Sequence, residues 1–318
     1  MKTTIERVHG RRVWDSRGRP TVEVEVATAS GTIGRAIAPA GASTGSAEAV
    51  DLRDGGDAFA GYDVRKAVGS VENEIAAALA GMDARDQTSI DRRLIDLDGT
   101  ANKGRLGGNA LIATSMAIAH AAAAAEGVPL WRYLAGDDEP GLLPLPEIQI
   151  FGGGAHAGRR VDLQDFMVIA TGAGDFATAL DWTAEVYIAA GKLMAEAGKL
   201  QGVADEGGFW PAFDGNEDAL DMLVRAIEKA GFSPGEDVSI SLDIAATDFG
   251  RDGRYRLARE DRELSSEELS EMLLDWLGRY PIVAIEDPLG EDDDVGMTAF
   301  TARAGNQVEG VGDDFVTT

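Results

Sequence analysis

The sequence predicts an α/β protein in which a small α+β domain precedes a β/α barrel of the TIM type. Two strands followed by helices in the first part of the chain indicate the α+β domain. After a turn-rich segment, short apolar strands alternate with long helices, as in a parallel or mixed β/α sheet. The stretch 138–318 is shorter than the about 250 residues of a typical closed barrel, so we expect the barrel to be incomplete at its C-terminal side.

The first domain is predicted over residues 1–136 and begins with two strands. Residues 21–27 (TVEVEVA) alternate apolar and polar side chains, which is typical of a half-buried strand, and residues 32–38 form the next strand across a short turn. Three helices are then predicted, at residues 64–80, around 94–97 and at 109–127. The third contains the most apolar run of the chain, but this run is short for a membrane span and rich in alanine, so a buried helix is expected.

The second domain is predicted over residues 137–318, after a turn-rich linker at 136–140. Its strands are expected at residues 147–151, 165–170, 238–243, 282–286 and 308–312. Its helices are expected at residues 176–197, 217–230 and 266–280. This order of strands and helices favours a β/α barrel over separate sheets and bundles.

The composition excludes several classes of protein. The chain has 55 acidic and 29 basic residues, a net charge of −26, so we expect it to bind neither nucleic acid nor anionic membranes. The absence of cysteine excludes disulfides, thiolate metal sites and cysteine nucleophiles. The N-terminus lacks the apolar core of a signal peptide, which predicts a cytoplasmic protein. Adaptation to high internal salt and an acidic surface for a basic partner both stay open as reasons for the charge.

Three carboxylates follow apolar strands and form the candidate metal site. Asp243, Glu286 and Asp313 each stand at the C-terminal end of a predicted strand. In a β/α barrel that edge carries the active site, and oxygen ligands from separate strands suit Mg²⁺. The alternative is that these acids are solvated residues where loops begin.

Glu206 is the candidate general acid because it lies in the segment DEGGF, on a glycine-rich turn beside aromatic residues. Gln164 and Asp165 begin a predicted strand and are expected to face the mouth of the barrel. A plain glycine-rich turn is the alternative for Glu206.

Two loops of small residues carry the remaining candidates. Ser43, in the loop 41–45, can offer an oxygen to a metal from a mobile lid. His156 lies in FGGGAHAG, where a histidine can bind a phosphate or move a proton. A flexible hairpin connection is the alternative for the first loop.

In this order, the motifs of the chain resemble those of the enolase family. They are DSRGRPTVEVEV (15–26), GASTGSAEAVDLRD (41–54), the helical segment 78–134, GGGAHAG (152–158), LQDFMV (163–168), DEGGF (205–209), SLDIAATDF (241–249), IEDP (285–288) and VGDD (311–314). The resemblance implies a barrel whose first units depart from strict β/α alternation. It also implies reversible dehydration of 2-phosphoglycerate to phosphoenolpyruvate with Mg²⁺, in a homodimer or a larger homo-oligomer.

The resemblance also implies roles for single residues. Asp243, Glu286 and Asp313 resemble the ligands of the magnesium ion that binds the substrate carboxylate, with Asp314 as the nearby alternative to Asp313. Ser43 resembles the lid residue that completes a second magnesium site. Glu206 resembles the acid that helps to expel the C3 hydroxyl, and Gln164 and Asp165 belong to the same polar cluster. His156 resembles the loop histidine that closes over the phosphate.

The chain departs from the family pattern in two ways. The lysine that acts as the base, a second lysine and an Arg-Ser pair belong to later barrel segments and have no counterpart here. We therefore expect a fragment of a longer protein, and a truncated product that cannot turn over is the alternative. Substitutions also fall near the expected pocket, at Gly152, Ala155, Asp165, Trp210, Arg19 and Phe315. Two further hypotheses follow: an enolase-like paralogue for a related phosphorylated or phosphonylated hydroxy acid, as in phosphonate biosynthesis, and a non-catalytic binding protein derived from an enolase.

Overall fold

The computed structural model describes residues 2–38, 40–41, 43–139, 141–210 and 212–317, and for His156 the backbone alone. The chain divides into two compact units. One contains the residues up to 41 together with 47–141, and the other contains 42–46 together with 142–317. Each unit has a hydrophobic core of its own.

The first unit contains a three-stranded antiparallel sheet in the order β1 (Ile5–Trp14), β2 (Pro20–Thr28), β3 (Ile33–Ala38). The two predicted strands, 21–27 and 32–38, are confirmed as β2 and β3. The sequence analysis missed β1, whose alternation is broken by three arginines and a glycine. Arg7 and Arg11 form ion pairs with acids of β2, and Arg11 lies 2.6 Å from the Glu23 carboxylate and 2.8 Å from that of Glu25. Arg12 instead pairs with Asp63 at 2.8 Å.

The helices of the first unit follow the sheet. They are α1 (Arg65–Ser70), which continues through a π-turn (Val71–Ile75) into α2 (Ala76–Leu79), then α3 (Gln87–Asp98), α4 (Gly108–Glu126) and α5 (Leu130–Ala135). Within the described part of the chain, only α4 is long and apolar enough to cross a membrane, with a mean hydropathy of 1.2. Because 67% of that stretch is buried, the prediction of a buried core helix is confirmed.

The second unit alternates strands and helices along the chain. Its strands are β4 (Glu147–Gly152), β5 (Asp165–Ile169), β6 (Gly202–Val203), β7 (Phe209–Trp210), β8 (Ser239–Asp243), β9 (Gly250–Arg251), β10 (Arg254–Leu257), β11 (Arg262–Ser265), β12 (Ile282–Glu286) and β13 (Glu309–Val311). Its helices are α6 (Phe176–Glu196), α7 (Asn216–Ala230), α8 (Ser266–Arg279) and α9 (Asp294–Ala304). The predicted strands and helices of this unit are confirmed to within one or two residues at each end.

The main sheet of this unit determines where the functional side chains lie. Among the described residues its order is β13-β12-β8-β5-β4-β7-β6, and β9 to β11 form a separate small sheet. The pairs β8–β12 and β12–β13 are parallel, whereas β5 runs antiparallel to both β4 and β8. The start of β5 therefore lies at the same edge as the ends of β8 and β12. The expected departure of the first units from strict alternation is confirmed, and the described strands form an open sheet.

Buried apolar side chains from the sheet and the helices fill the core of the second unit. Phe151, Phe166 and Trp276 are among the largest fully buried side chains. Helix α8 begins with a capping box: the Ser265 hydroxyl accepts from the Glu268 amide at 3.2 Å, and the Glu268 carboxylate accepts from the Ser265 amide at 2.8 Å. Because the core is built from the strand interiors and the helices, the strand ends are available to carry polar side chains.

Candidate active site

Three predicted site residues occupy one row across neighbouring strands. The antiparallel register pairs Asp165 with Asp243, and the parallel register pairs Asp243 with Glu286. Asp165 starts its strand while the other two end theirs, so the reversal of β5 brings its carboxyl to the same edge. The expectation that acids from separate strands meet at one edge therefore agrees with the register.

Asp243 is the most enclosed member of this row, with 6% of its surface exposed. Its carboxylate accepts hydrogen bonds from the Gln164 side-chain amide at 2.8 Å and from the Ala245 backbone at 2.9 Å. Burial, and after it the negative charges of Glu286 and Asp165, raise the pKa of Asp243 to about 9. In the metal-free protein this carboxyl is therefore mainly protonated at neutral pH.

Asp165 and Glu206 form a second pair of interacting carboxyls. Burial and then the charge of Glu206 raise the pKa of Asp165 to about 7. The amide of Gln149 donates a short hydrogen bond to the Asp165 carboxylate and acts in the opposite direction. Glu206 itself lies exposed on the turn that precedes β7. A buried carboxyl beside an exposed one is an arrangement that can hold and deliver a proton.

Glu286 connects the row to the last described strand. Burial, followed by the charges of Asp313 and Asp287, raises the pKa of Glu286 to about 7. Of the two consecutive aspartates, Asp313 is exposed, whereas Asp314 is buried with a pKa raised to about 6 by burial and by Asp287. Asp313 and its alternative Asp314 therefore both lie near Glu286 or Asp287, and the choice between them as a metal ligand stays a prediction.

Asp287 is a site residue that the sequence analysis missed. It is 2% exposed and adopts a left-handed backbone conformation with φ of 39° directly before Pro288. Its carboxylate accepts from the backbone amides of Asp313 at 3.1 Å and Asp314 at 2.7 Å. Asp287 thus fixes the loop that presents Asp313. The acidic pair in the motif IEDP was the available signal, but only the first acid was considered.

Gln149 is the second missed residue, and it joins the acid pair from β4. Its side chain donates to Asp165 and accepts from the Gly208 amide at 2.8 Å, two residues beyond Glu206. The available signal was a polar residue in the middle of an otherwise apolar strand, EIQIFG.

The structure describes fewer contacts for the two predicted loop residues, Ser43 and His156. The loop 42–46 belongs to the second unit, and its described contacts fall at Ser46, whose amide donates to Glu291 at 2.7 Å, and at Gly45, which lies against Asp314. Ser43 is half-buried in this loop. The backbone of His156 lies in a 3₁₀ turn (Gly154–Ala157), and its side chain lies outside the described atoms.

The donors at this edge fit a hard divalent cation in their chemistry. In the described part of the chain, no three acidic or imidazole side chains stand close enough together to form a ready metal-binding group. However, burial and neighbouring negative charges raise the pKa values of Asp243 and Glu286, with Glu286 acting on Asp243 and Asp313 acting on Glu286, and a cation would relieve both effects. The Gln164 Oε1 atom is also buried, and no described residue donates a hydrogen bond to it.

Comparison with known families assigns both units. The profile described as "Enolase, N-terminal domain" matches residues 5–134, and that described as "Enolase, C-terminal TIM barrel domain" matches residues 140–318. The chain belongs to the enolase family. The resemblance found in the motifs is thereby confirmed, as is the predicted fold class. Membership supports an enolase or enolase-like lyase function in general terms.

Proposed function

We propose that this enolase-family site takes part in the Mg²⁺-dependent dehydration of 2-phosphoglycerate to phosphoenolpyruvate. The observation that carries the proposal is the row of Asp165, Asp243 and Glu286 at one edge of the sheet. The charge of Glu206 raises the pKa of Asp165 at one end of the row, and the charge of Asp313 raises that of Glu286 at the other. One end of this row offers oxygen ligands for a cation, and the other offers a pair of carboxyls for proton transfer. Dehydration of a phosphorylated hydroxy acid needs both.

The residues of the first end would hold the cation. Asp243, Glu286 and Asp313 supply carboxylate oxygens, the donor type that Mg²⁺ prefers. Bound Mg²⁺ supplies positive charge that stabilises the negative charge developing on the substrate carboxylate. Asp287 holds the backbone beside Asp313, so that this ligand is presented by a fixed loop.

The residues of the second end would serve the departing hydroxyl. Glu206 delivers a proton to the hydroxyl at C3, so that it leaves as water. Asp165 lies close enough to Glu206 for their charges to interact strongly, and Gln164 holds the neighbouring Asp243 in place through its amide. In the family pattern the base is a lysine on a later barrel strand, and the residues described here would supply the metal ligands and the acid.

The test uses the product of the complete reading frame and follows phosphoenolpyruvate by its ultraviolet absorbance. We expect turnover of 2-phosphoglycerate that depends on Mg²⁺ and is abolished by Asp243→Ala. Asp181→Ala, an exposed aspartate on α6, is the matched control and should retain full activity. Mg²⁺-dependent turnover that survives in Asp243→Ala, or no turnover at all in the unaltered protein, would refute the proposal.

A second candidate function, an enolase-like enzyme for a related phosphorylated or phosphonylated hydroxy acid, is favoured by one observation. Trp210 packs against the glycine-rich loop of His156, and its ring comes within 2.9 Å of where a Cβ of Gly158 would stand. A large ring at this place changes the space beside the loop expected to close over the phosphate. Faster turnover of a phosphonylated hydroxy acid than of 2-phosphoglycerate would favour this candidate.

A further inference from the structure

The turn that carries Glu206 is held through a single peptide group. The carbonyl oxygen of Gly207 accepts a hydrogen bond from the Tyr187 hydroxyl at 2.8 Å. The amide of Gly208, the other half of the same peptide group, donates to Gln149 Oε1 at 2.8 Å. Side chains from α6 and β4 therefore hold this peptide from both sides, immediately after Glu206.

The turn itself is tight. The Gly208 carbonyl accepts from the Ala204 amide at 2.7 Å, and the Gly207 amide donates to the Ala204 carbonyl at 3.1 Å. Gly207 has a φ of 99°, a conformation that side chains other than glycine rarely adopt. The bonds from Tyr187 and to Gln149 oppose rotation of the 207–208 peptide, which follows Glu206 in this turn.

Tyr187 is itself fixed by the residue that follows the turn. Its ring stacks on Phe209 with centroids 4.3 Å apart and planes inclined by 16°. One helical turn along α6, a Cβ at Gly191 would lie 2.7 Å from the Phe209 ring, so only glycine leaves room for that ring. A glycine inside a helix destabilises that helix relative to alanine. Helix α6 is therefore shaped to receive Phe209 and to aim the Tyr187 hydroxyl at the turn.

Gln149 is equally constrained and serves both carboxyls. It is 6% exposed, and its amide nitrogen donates to Asp165 while its amide oxygen accepts from Gly208. A Cβ at Gly208 would lie 2.6 Å from this oxygen, so the close approach requires glycine there. One side chain thus sets the separation between Asp165 and the turn that bears Glu206.

We propose that Tyr187 and Gln149 are positioning residues that clamp the Gly207–Gly208 peptide and thereby hold Glu206 at a fixed distance from Asp165. The inference rests on the proposed function, in which Glu206 delivers the proton. Neither residue touches the substrate in this proposal. Loss of either clamp should reduce kcat much more than it changes KM, because a misplaced acid slows the chemical step and leaves the binding of the carboxylate and phosphate intact.

The first arm of the test needs no activity and uses the 318-residue chain. Hydrogen exchange of the Gly208 amide, followed by nuclear magnetic resonance, should be slow in the unaltered protein and at least about tenfold faster in Gln149→Ala. Tyr187→Phe keeps the ring stack and removes only the hydroxyl, and it should also accelerate this exchange. The matched control is Tyr280→Phe, which removes a hydroxyl bonded to Asp221 at 2.8 Å in the same unit.

The second arm measures steady-state kinetics with 2-phosphoglycerate in the complete protein. We expect kcat to fall roughly 3- to 10-fold in Tyr187→Phe and more in Gln149→Ala, with KM changed less than about twofold. Gln149→Asn, whose amide is one methylene shorter, should not rescue kcat. A normal kcat in Tyr187→Phe would overturn the clamp. So would Gly208 amide exchange in Tyr187→Phe that is no faster than in the control variant Tyr280→Phe. An inactive unaltered protein would instead refute the proposed function, and the exchange arm would still decide on the clamp.

Discussion

At the scale of single residues, burial and neighbouring negative charges make the ionised form of the site carboxyls unfavourable in the metal-free protein. Asp243 has a pKa of about 9, and Asp165 and Glu286 have pKa values of about 7. Ionising them in the absence of a cation places several negative charges in one buried row. A bound divalent ion would offset this cost of ionisation.

This arrangement predicts how stability depends on pH. Between the unfolded and the folded pKa of Asp243, the folded protein binds more protons than the unfolded chain, so the free energy of unfolding falls as pH rises. Groups with lowered pKa values, such as Asp63, have gained their stabilisation already above about pH 5. Urea unfolding of the metal-free 318-residue protein should show a loss of at least about 1.4 kcal/mol, the equivalent of one pKa unit, between about pH 5 and pH 9.

Two controls assign that loss to the site. Asp243→Asn cannot ionise at this position and should show a smaller decrease over the same pH range. Saturating Mg²⁺ should also reduce the decrease in the unaltered protein, because a cation favours the ionised carboxyls. Stability that rises with pH in the metal-free protein would contradict the shifted pKa values.

At the scale of elements, Asp287 connects the end of β12 to the loop after β13. Its carboxylate accepts two backbone amides, those of Asp313 and Asp314. Replacing it with alanine leaves these amides without their partner, and an unsatisfied buried donor costs about 1–3 kcal/mol. We expect Asp287→Ala to lower the free energy of unfolding by about that amount and to weaken Mg²⁺ binding by isothermal titration calorimetry.

The comparison for this prediction is Glu309→Gln, which alters an exposed carboxyl of β13 close to the same loop. It should leave both stability and Mg²⁺ affinity near those of the unaltered protein. Equal effects in the two variants would show that charge in this region matters and that the hydrogen bonds of Asp287 do not.

Regular elements were predictable from sequence wherever one periodicity ran without interruption. Strands such as β8 and helices such as α6 are continuous apolar or amphipathic patterns, and their bounds agree with the structure. β1 was missed because its arginines are compensated by distant acids, Arg7 and Arg11 by those of β2 and Arg12 by Asp63, which no local pattern reveals. Helix α9 was missed because its apolar residues form no clear face, with only Gly296, Phe300 and Ala304 buried.

The acidic residues of the candidate site were predictable from the sequence, but the residues that hold them in place were not. Strand ends and the family motifs identified Asp243, Glu286 and Asp313, and the strand register places two of them side by side. Their metal-binding and catalytic roles stay predictions. The supporting contacts of Gln149 and Asp287 depend on the direction of β5 and on a left-handed residue, and both arise only when distant segments pack together.

At the scale of the whole molecule, the net charge of −26 sets the dominant long-range electrostatic interaction. Repulsion among unpaired carboxylates destabilises the compact state, and salt screens it. The free energy of unfolding should therefore increase from low salt to about 1 M KCl, where the Debye length is about 3 Å. Urea titrations at a fixed pH, with KCl as the only variable, measure this directly.

Attractive arginine–carboxylate pairs have the opposite dependence on salt, because screening weakens them. Salt weakens pairs such as Arg279–Glu217, at 2.7 Å, but exposed pairs contribute only about 0–1 kcal/mol each. Sucrose at matched osmolality stabilises without screening and serves as the control for general solvent effects. A free energy of unfolding that falls with KCl would mean that attractive pairs outweigh the net repulsion.

The reversed direction of β5 has a consequence for how this segment can evolve. Strand side chains alternate between faces with a period of two, so one inserted or deleted residue between Phe166 and Ile169 would turn each later side chain to the opposite face or pull Asp165 out of line with Asp243. Substitutions that keep the segment's length preserve this alignment. Natural variants of the protein should therefore differ in the amino acids of this segment while keeping its length constant.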